Sequence, residues 1–169
     1  SAIQIAARAI KNMKLLRIDQ DTTANIGTFI GGQATNIVAE QAEVVAEARS
    51  LYNDKLDAQS NHMRDCFMEA AQSMGGEAQV DIQRSYPAFT LAEDHAAIIR
   101  CKQAMANLGI KAVTVSTGGG SDCNIFNGQD IVAVDLAIGM TDMHSKSESI
   151  KVSDLVKAAE LVAEIIRQG

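Results

Sequence analysis

The sequence predicts an α/β (α+β) fold assembled from two incomplete parts. In the first half, the element order is helix, strand, strand, helix, strand, which suits an antiparallel sheet with both helices on one face. In the second half, strongly apolar runs are typical of strands buried on both faces of an α/β sheet. The pattern changes at Pro87, so we expect one part at 1–87 and the other at 88–169.

The first half begins with an amphipathic helix, because apolar residues recur at helical spacing over 3–13. A run rich in β-branched residues at 22–30 ends at a pair of glycines, which predicts a strand and a turn. The clearest strand is 43–49, where apolar and charged residues alternate. One face of this strand should meet a core, and Arg49 should point to the other face.

A second helix at 57–74 carries an apolar stripe and is closed by two glycines. An alternating segment at 80–86 follows and stops at Pro87, which predicts a third strand. One more strand before Ser1 would complete a β-α-β-β-α-β, ferredoxin-like sandwich. We therefore expect a two-layer domain that lacks its first strand, in a piece of a longer chain.

The second half places helices beside apolar strands. Apolar residues at helical spacing predict helices over 98–108 and 152–166, whereas 110–116 and 131–138 have the pattern of strands. A glycine-rich loop, 117–121, lies between these strands. Two strands do not make such a sheet, so this part is also expected to be incomplete.

The composition argues against two kinds of partner. The 15 Lys and Arg residues against 21 Asp and Glu residues give a net charge of −6, which disfavours nucleic acid. No apolar run approaches the ~18 residues of a membrane span, and no signal-peptide pattern is present. Three cysteines without CxxC spacing favour reduced thiols. We expect a cytoplasmic protein that binds neither nucleic acid nor membrane.

His144 is the first candidate functional residue, because it follows the apolar strand 131–138 at an edge where α/β folds often hold their sites. A neutral imidazole there could ligate zinc, with Glu148 or another carboxylate orienting it. The alternative is a polar loop residue, since one histidine makes no metal site.

The glycine-rich loop is the second candidate. Three consecutive glycines ending at Gly120 let backbone N–H groups approach an anionic ligand closely, and a strained turn is the alternative. Cys123, just beyond, could be a nucleophile if a histidine base lay beside it. A small buried thiol is the simpler interpretation.

Asn36 and Arg49 form the third candidate. Asn36 falls at the entry to the strand that ends near Arg49. A carboxamide and a guanidinium can together clamp a carboxylate through charge-assisted hydrogen bonds. The alternative is a plain surface arginine, because exposed arginines are common on strands.

Four segments, taken in order, resemble the second half of the co-catalytic zinc metallopeptidases, and above all the peptidase T-like, tripeptide aminopeptidase branch. They are GQATNIV at 32–38, ARS at 48–50, TGGGSDCNIFN at 117–127 and MHSKSE at 143–148. The family also includes glutamate carboxypeptidase, succinyl-diaminopimelate desuccinylase and aminoacylases. The resemblance covers essentially the whole chain.

The resemblance implies a lid or dimerisation domain over 1–87 and the C-terminal portion of a zinc-binding catalytic domain over 88–169. It implies that Asn36 and Arg49 hold the substrate's carboxylate and the reaction oxyanion. It also implies that the N–H of Gly120 meets the substrate and that His144 is a metal ligand. The remaining ligands and the general-base glutamate are expected upstream of Ser1, so no catalytic residue is expected in this chain.

The parent protein is accordingly expected to be a zinc-dependent exopeptidase that hydrolyses short peptides with a metal-activated water. Two zinc ions per active site and a homodimer formed through the lid are implied. The chain alone is expected to be inactive and to hold zinc weakly. Two alternatives stay open: an N-acyl amino acid amidohydrolase of the same family, and a non-catalytic dimerisation module.

Overall fold

The structure, a computed structural model, describes residues 1–168. The chain folds into two compact units. The first comprises Ser1–Ala88 with Thr117–Gly119, and the second comprises Phe89–Ser116 with Gly120–Gly169. The first unit combines helices with an antiparallel sheet, and the second contains three helices in its described part. A mixed helix and sheet fold is therefore confirmed.

The first unit has two layers. The helices α1 and α2 pack together on one face of a three-stranded antiparallel sheet with the order β1-β2-β3. The elements are α1 (Ala2–Asn12), β1 (Leu16–Arg17), β2 (Thr22–Gly31), β3 (Ala42–Ser50) and α2 (Asn53–Ser73).

The core of the first unit lies between the helices and the sheet. Small side chains let the backbones approach closely, and methionines fill the remaining space. The buried cluster consists of Ala9, Met13, Ala24, Met63, Cys66 and Ala70. Ala48 of β3 packs against this cluster from the sheet, as its alternation with charged neighbours predicted.

A β-bulge at Gly27 interrupts the pairing of β2 with β3. Ile26 lies opposite Ala46 and Thr28 lies opposite Val45, so Gly27 is the extra residue. Because one extra residue is accommodated at Gly27, the side chains of β2 and β3 that are paired before and after the bulge point to the same side of the sheet. The outer face of the sheet is the one that faces away from the helices. It carries residues 23, 25, 28 and 30 of β2 and 43, 45, 47 and 49 of β3.

Side chains of α2 hold the connection between α1 and β1. The main-chain N–H of Lys14 donates to Nε2 of His62 at 3.1 Å, and Nε2 of Gln59 donates to the carbonyl oxygen of Lys14 at 2.8 Å. Nearby, the ammonium of Lys55 contacts Asp19 at 3.2 Å and Asp21 at 2.7 Å. These contacts attach both the exit of α1 and the β1–β2 turn to the second helix.

The predicted strand at 80–86 is wrong, because these residues form no strand within the described part of the chain. Its local pattern is right for a strand, but a strand also needs a neighbour to complete its hydrogen-bond ladder, and no strand of the described residues pairs with this segment. Instead, Arg84 bonds Asn53 and Asp57 at the start of α2. The third strand of the observed sheet is β1, which the sequence did not predict.

The second unit is built on a pair of long helices. Its elements are α3 (Ala96–Asn107), α4 (Asp122–Asn127) and α5 (Val152–Arg167). Ala104 of α3 and Leu161 of α5 are buried, and Nδ2 of Asn107 donates to Oε1 of Glu164 at 2.7 Å. The helices α3 and α5 therefore pack against each other.

The strands predicted at 110–116 and 131–138 are also wrong for the described residues, which show no ladder at either segment. Val113 and Val115 are exposed, as is one apolar stripe of α5. An apolar, β-branched sequence indicates that a segment is suited to a buried strand. A strand forms only where a second strand is present to hydrogen-bond with it. No helix of the described residues is both long enough and apolar enough to cross a membrane.

Candidate functional site

Arg49 lies on the outer face of the sheet, near the end of β3. It is opposite Thr23 of β2, and Glu47, on the same face, is opposite Asn25. Nη2 of Arg49 donates to Oε2 of Glu47 at 3.0 Å. This hydrogen bond, and then the negative charge of Glu47, raise the pKa of the Arg49 guanidinium, so the group is permanently cationic.

Asn36 lies in the loop that joins β2 to β3, and it is exposed. The loop leaves β2 at Gly32, whose φ of +76° suits a residue without a Cβ. It is attached to the first turn of α1, because the N–H of Ala2 donates to the carbonyl oxygen of Ala39 at 2.8 Å. Asn36 is therefore at the end of the sheet that lies beside the start of α1.

The loop that carries Asn36 and the residue Arg49 lie toward opposite ends of β3. The loop of Asn36 enters β3 at Ala42, and Arg49 lies seven residues further along that strand. At about 3.3 Å per residue, this is roughly 23 Å. The loop of Asn36 and the side chain of Arg49 are therefore attached at opposite ends of β3.

Gly120 lies in an exposed loop directly before α4. Ser121 caps this short helix: its Oγ accepts from the N–H of Cys123 at 3.2 Å, and Oδ1 of Asn124 accepts from the N–H of Ser121 at 2.9 Å. The Oγ of Ser121 also donates to Asp135 at 2.8 Å. Ser121, the residue after Gly120, is thus fixed by hydrogen bonds. Two residues before Gly120 the loop is open, since a Cβ built on Gly118 would meet nothing within 4 Å.

Cys123 is poorly suited to act as a nucleophile. Burial, and then a hydrogen bond with Asp135, raise the pKa of its thiol. A raised pKa lowers the fraction of the reactive thiolate at neutral pH. This favours the interpretation of Cys123 as a structural thiol over a catalytic one.

His144 lies in an exposed loop closed by a bridge between Thr141 and Ser149. Its φ is +65°, a left-handed conformation that is uncommon for a residue with a side chain. The carboxylate of Glu148 accepts its main-chain N–H at 2.9 Å. Glu148 therefore holds the backbone of His144, whereas the sequence suggested that it orients the imidazole.

The donor set of this chain does not fit a metal centre by itself. In residues 1–168, no three His, Cys, Asp or Glu side chains come together as a metal site would require. A structural or catalytic zinc needs at least three protein ligands, and His144 supplies one. Any metal held at His144 would need donors from outside these residues.

Sequence reasoning missed three polar residues that the structure uses. Glu47 pairs with Arg49, and its signal was present: opposite charges two residues apart on a strand share one face. The other two are histidines that the sequence analysis did not single out: His62 accepts the N–H of Lys14, and Nδ1 of His95 caps α3 by accepting from the N–H of Ala97 at 3.2 Å. These two contacts depend on tertiary and cap geometry, which spacing does not reveal.

The first unit is a two-layer α+β domain whose outer sheet face carries charged side chains on β3. Residues 1–74 match the family model described as the peptidase dimerisation domain. Residues 1–74 are therefore identified as an M20-type peptidase dimerisation domain. This confirms the resemblance drawn from the four sequence segments.

The chain is 45% identical over its whole length to the Bacillus subtilis protein YqjE and covers 46% of it. It is similar to the structure of aminopeptidase PepT from Bacillus cereus, with 45% identity and a TM-score of 0.88 over 98% of this chain and 44% of that one. A tripeptidase from Staphylococcus aureus gives 43% identity and a TM-score of 0.93, with the same coverage of 98% and 44%.

The Bacillus subtilis protein YXEP, described as a dinuclear metal binding peptidase, shares 20% identity and a TM-score of 0.74, over 98% of this chain and 45% of that one. This likeness shows the fold alone. The chain spans less than half the length of each of these four relatives.

Proposed function

We propose that this chain is the lid and the closing part of the catalytic domain of a zinc-dependent exopeptidase that acts on short peptides. The observation that carries the proposal is the similarity, at 43% and 45% identity over 98% of this chain, to a tripeptidase and an aminopeptidase. The boundary between the two parts is proposed at 87/88. The three free cysteines support a reducing, cytoplasmic location.

Arg49 is proposed to bind the carboxylate of the peptide substrate. Its guanidinium is about half exposed on the outer face, and Glu47 contacts only one of its nitrogens. A guanidinium has five N–H donors in a planar fork, so donors remain for a bidentate carboxylate.

Asn36 is proposed to act on the substrate from a second copy of the chain. A tripeptide spans about 10 Å when extended, well short of the roughly 23 Å that separates the two ends of β3. A homodimer formed through the dimerisation domain would let Arg49 of one copy and Asn36 of the other approach the same peptide. In this arrangement one residue holds the carboxylate and the other stabilises the oxyanion.

His144 is proposed to be one ligand of a zinc site whose other ligands, and the general-base glutamate, lie in the part of the parent protein that precedes the lid. Glu148 fixes the backbone of His144 for this role. Gly120 is proposed to offer its N–H to the substrate, because it lies in an exposed loop and carries no side chain that would block a ligand. The chain alone should then be inactive and bind zinc weakly.

The test compares the chain with the full-length protein. Full-length protein should release the first residue of a free tripeptide and lose this activity on chelation of metal, while the chain alone shows neither activity nor sub-micromolar zinc binding by calorimetry. His144→Ala should reduce the zinc content of the full-length protein, and His95→Ala, at the N-cap of α3, should not.

An N-acyl amino acid that is cleaved faster than any peptide would point to the amidohydrolase instead. A full-length protein that dimerises without hydrolysing either substrate would point to the non-catalytic module. Tight zinc binding by the isolated chain would contradict the single-ligand assignment.

A further inference from the structure

Glu47 and Arg49 are arranged as a pair on the outer face of β3. Ala48, between them, packs toward the helices, so the two charged side chains project to the same side of the sheet. Their side chains are 54% and 46% exposed, and Oε2 of Glu47 lies 3.0 Å from Nη2 of Arg49. The pair is therefore accessible to a ligand that approaches this face.

The other charged groups of the outer face are further from the guanidinium or otherwise engaged. Arg17 of β1 lies opposite Thr23, two strands from Arg49, or roughly 10 Å at about 4.8 Å per strand. Its Nη1 donates to the carbonyl oxygen of Gln20 at 3.3 Å. Glu43 lies six residues before Arg49, about 20 Å along β3. Glu47 is thus the carboxylate that sets the geometry of Arg49.

We propose that Glu47 is a positioning residue that holds the guanidinium of Arg49 ready for the carboxylate of the substrate. The inference rests on the proposed function, because it assumes that Arg49 binds that carboxylate. It adds a residue that contacts Arg49 and not the substrate.

The physical reason is the flexibility of arginine. A free arginine side chain populates many rotamers, and a ligand that orders it loses affinity by the entropy of that ordering. A hydrogen bond to Glu47 removes part of this freedom before the substrate arrives. It uses one contact at Nη2, so most of the fork stays available for the incoming carboxylate.

Glu47 also has an opposing effect, since its negative charge repels a substrate carboxylate. The exposure of Glu47 decides which effect is larger, because an exposed charge is screened by water and salt. The contact between Glu47 and Arg49, at 3.0 Å, is shorter than the distance from Glu47 to a carboxylate on the other side of the guanidinium, so salt screens it less. Bidentate binding depends on the alignment that this contact gives. Positioning should therefore outweigh repulsion at physiological ionic strength.

The experiment measures KM and kcat of the full-length enzyme with a free tripeptide and with the same peptide as its C-terminal amide. Glu47→Ala should raise KM for the free peptide about threefold, within the fivefold limit of an exposed ion pair, with little change in kcat. It should leave KM for the amide unchanged. Glu47→Gln, which keeps an oxygen acceptor, should recover most of the loss.

Glu43→Ala is the matched control, because Glu43 shares the outer face of β3 and has no ion pair within residues 1–168. It should leave both constants unchanged. In the Arg49→Ala background, Glu47→Ala should have no further effect, since a positioning residue acts only through its partner.

Each other outcome overturns the proposal in a distinguishable way. A lower KM for Glu47→Ala would make Glu47 a competitor of the substrate, and an unchanged KM would leave it without a role. If Arg49→Ala itself does not change KM, the assigned role of Arg49 fails, and the Glu47 proposal fails with it. If Arg49→Ala is impaired and Glu47→Ala is not, only the Glu47 proposal fails.

Discussion

Gln59, in the middle of α2, donates a hydrogen bond of 2.8 Å to the main-chain carbonyl of Lys14, just beyond the end of α1. Gln59 is only 5% exposed, so the amide is removed from water to make this contact. Three residues further along α2, His62 accepts the N–H of the same residue. One residue of a connecting segment is thus held on both its donor and its acceptor by a neighbouring helix.

Replacing Gln59 should therefore destabilise the first unit. Gln59→Ala leaves the carbonyl of Lys14 without its partner, and we expect a loss of about 1–3 kcal/mol in the free energy of unfolding by urea. Gln59→Leu keeps the side-chain volume and should lose a similar amount, which separates the hydrogen bond from a packing effect. Gln72→Ala, exposed on the same helix, is the control. Wild-type stability of both Gln59 variants would contradict this reading.

Met63 should be a large contributor to the core, because it is 7% exposed and belongs to the buried cluster. Met63→Ala removes buried atoms and leaves a cavity, so the free energy of unfolding should fall by about 2–5 kcal/mol. Met68 on the same helix is 47% exposed. Met68→Ala should cost less than about 0.5 kcal/mol, measured by the same denaturant titration. Equal losses at the two positions would show that α2 does not pack as described.

Asp19 should make stability depend on pH in the acid range. The N–H of Asp21, which donates to its carboxylate, and then Lys55 lower the pKa of Asp19 below its ordinary value of 3.8. A lowered folded-state pKa gives stability that is present above the unfolded-state value and is lost as the pH falls through the folded-state pKa.

Asp19→Asn should therefore make the loss of stability between about pH 5 and pH 3 shallower than in the wild type. Thermal unfolding at several pH values measures the slope. Asp54→Asn, an exposed residue of α2 without an ion pair in the described structure, is the control. If Asp19→Asn leaves the slope of stability against pH unchanged, Asp19 does not contribute to the loss of stability in acid.

The buried thiol of Cys66 should react more slowly with an alkylating reagent than the thiols of Cys101 and Cys123. Burial raises the pKa of Cys66, Cys101 and Cys123, and Cys66 is the most deeply buried of the three. Since only an accessible thiolate reacts, Cys66 should be labelled last by iodoacetamide at pH 8, as followed by peptide mass spectrometry. In urea the three rates should converge. Labelling of Cys66 first in the folded protein would contradict its position in the core.

The sequence predicted those helices and strands that bury one face and therefore show a regular spacing of apolar residues. The helix α1 and the strand β3 each bury one face, so their periods of 3.6 and 2 are visible in the residues. The helix α4 was missed because six residues show no period, although Ser121 followed by Asn124 was a capping signal. The segment 80–86 has a strand pattern, but whether it pairs depends on a neighbour that the pattern does not describe.

The sequence predicted candidate site residues but not their placement in the fold. Asn36 and Arg49 are close in sequence, which suggested a shared ligand. The extended strand β3 lies between them, and it places Arg49 roughly 23 Å from Ala42, where the loop of Asn36 ends. Glu47 shows the reverse case: its contact with Arg49 follows directly from the alternation of side chains along β3.

The bulge at Gly27 has a consequence for how β2 can change in evolution. Removing one residue anywhere else along this strand would turn every side chain between that point and the bulge to the opposite side of the sheet. Removing Gly27 would leave a regular ladder, because the residues on either side of it already face their partners correctly. A homologue shorter by one residue in this strand should therefore have its gap at Gly27.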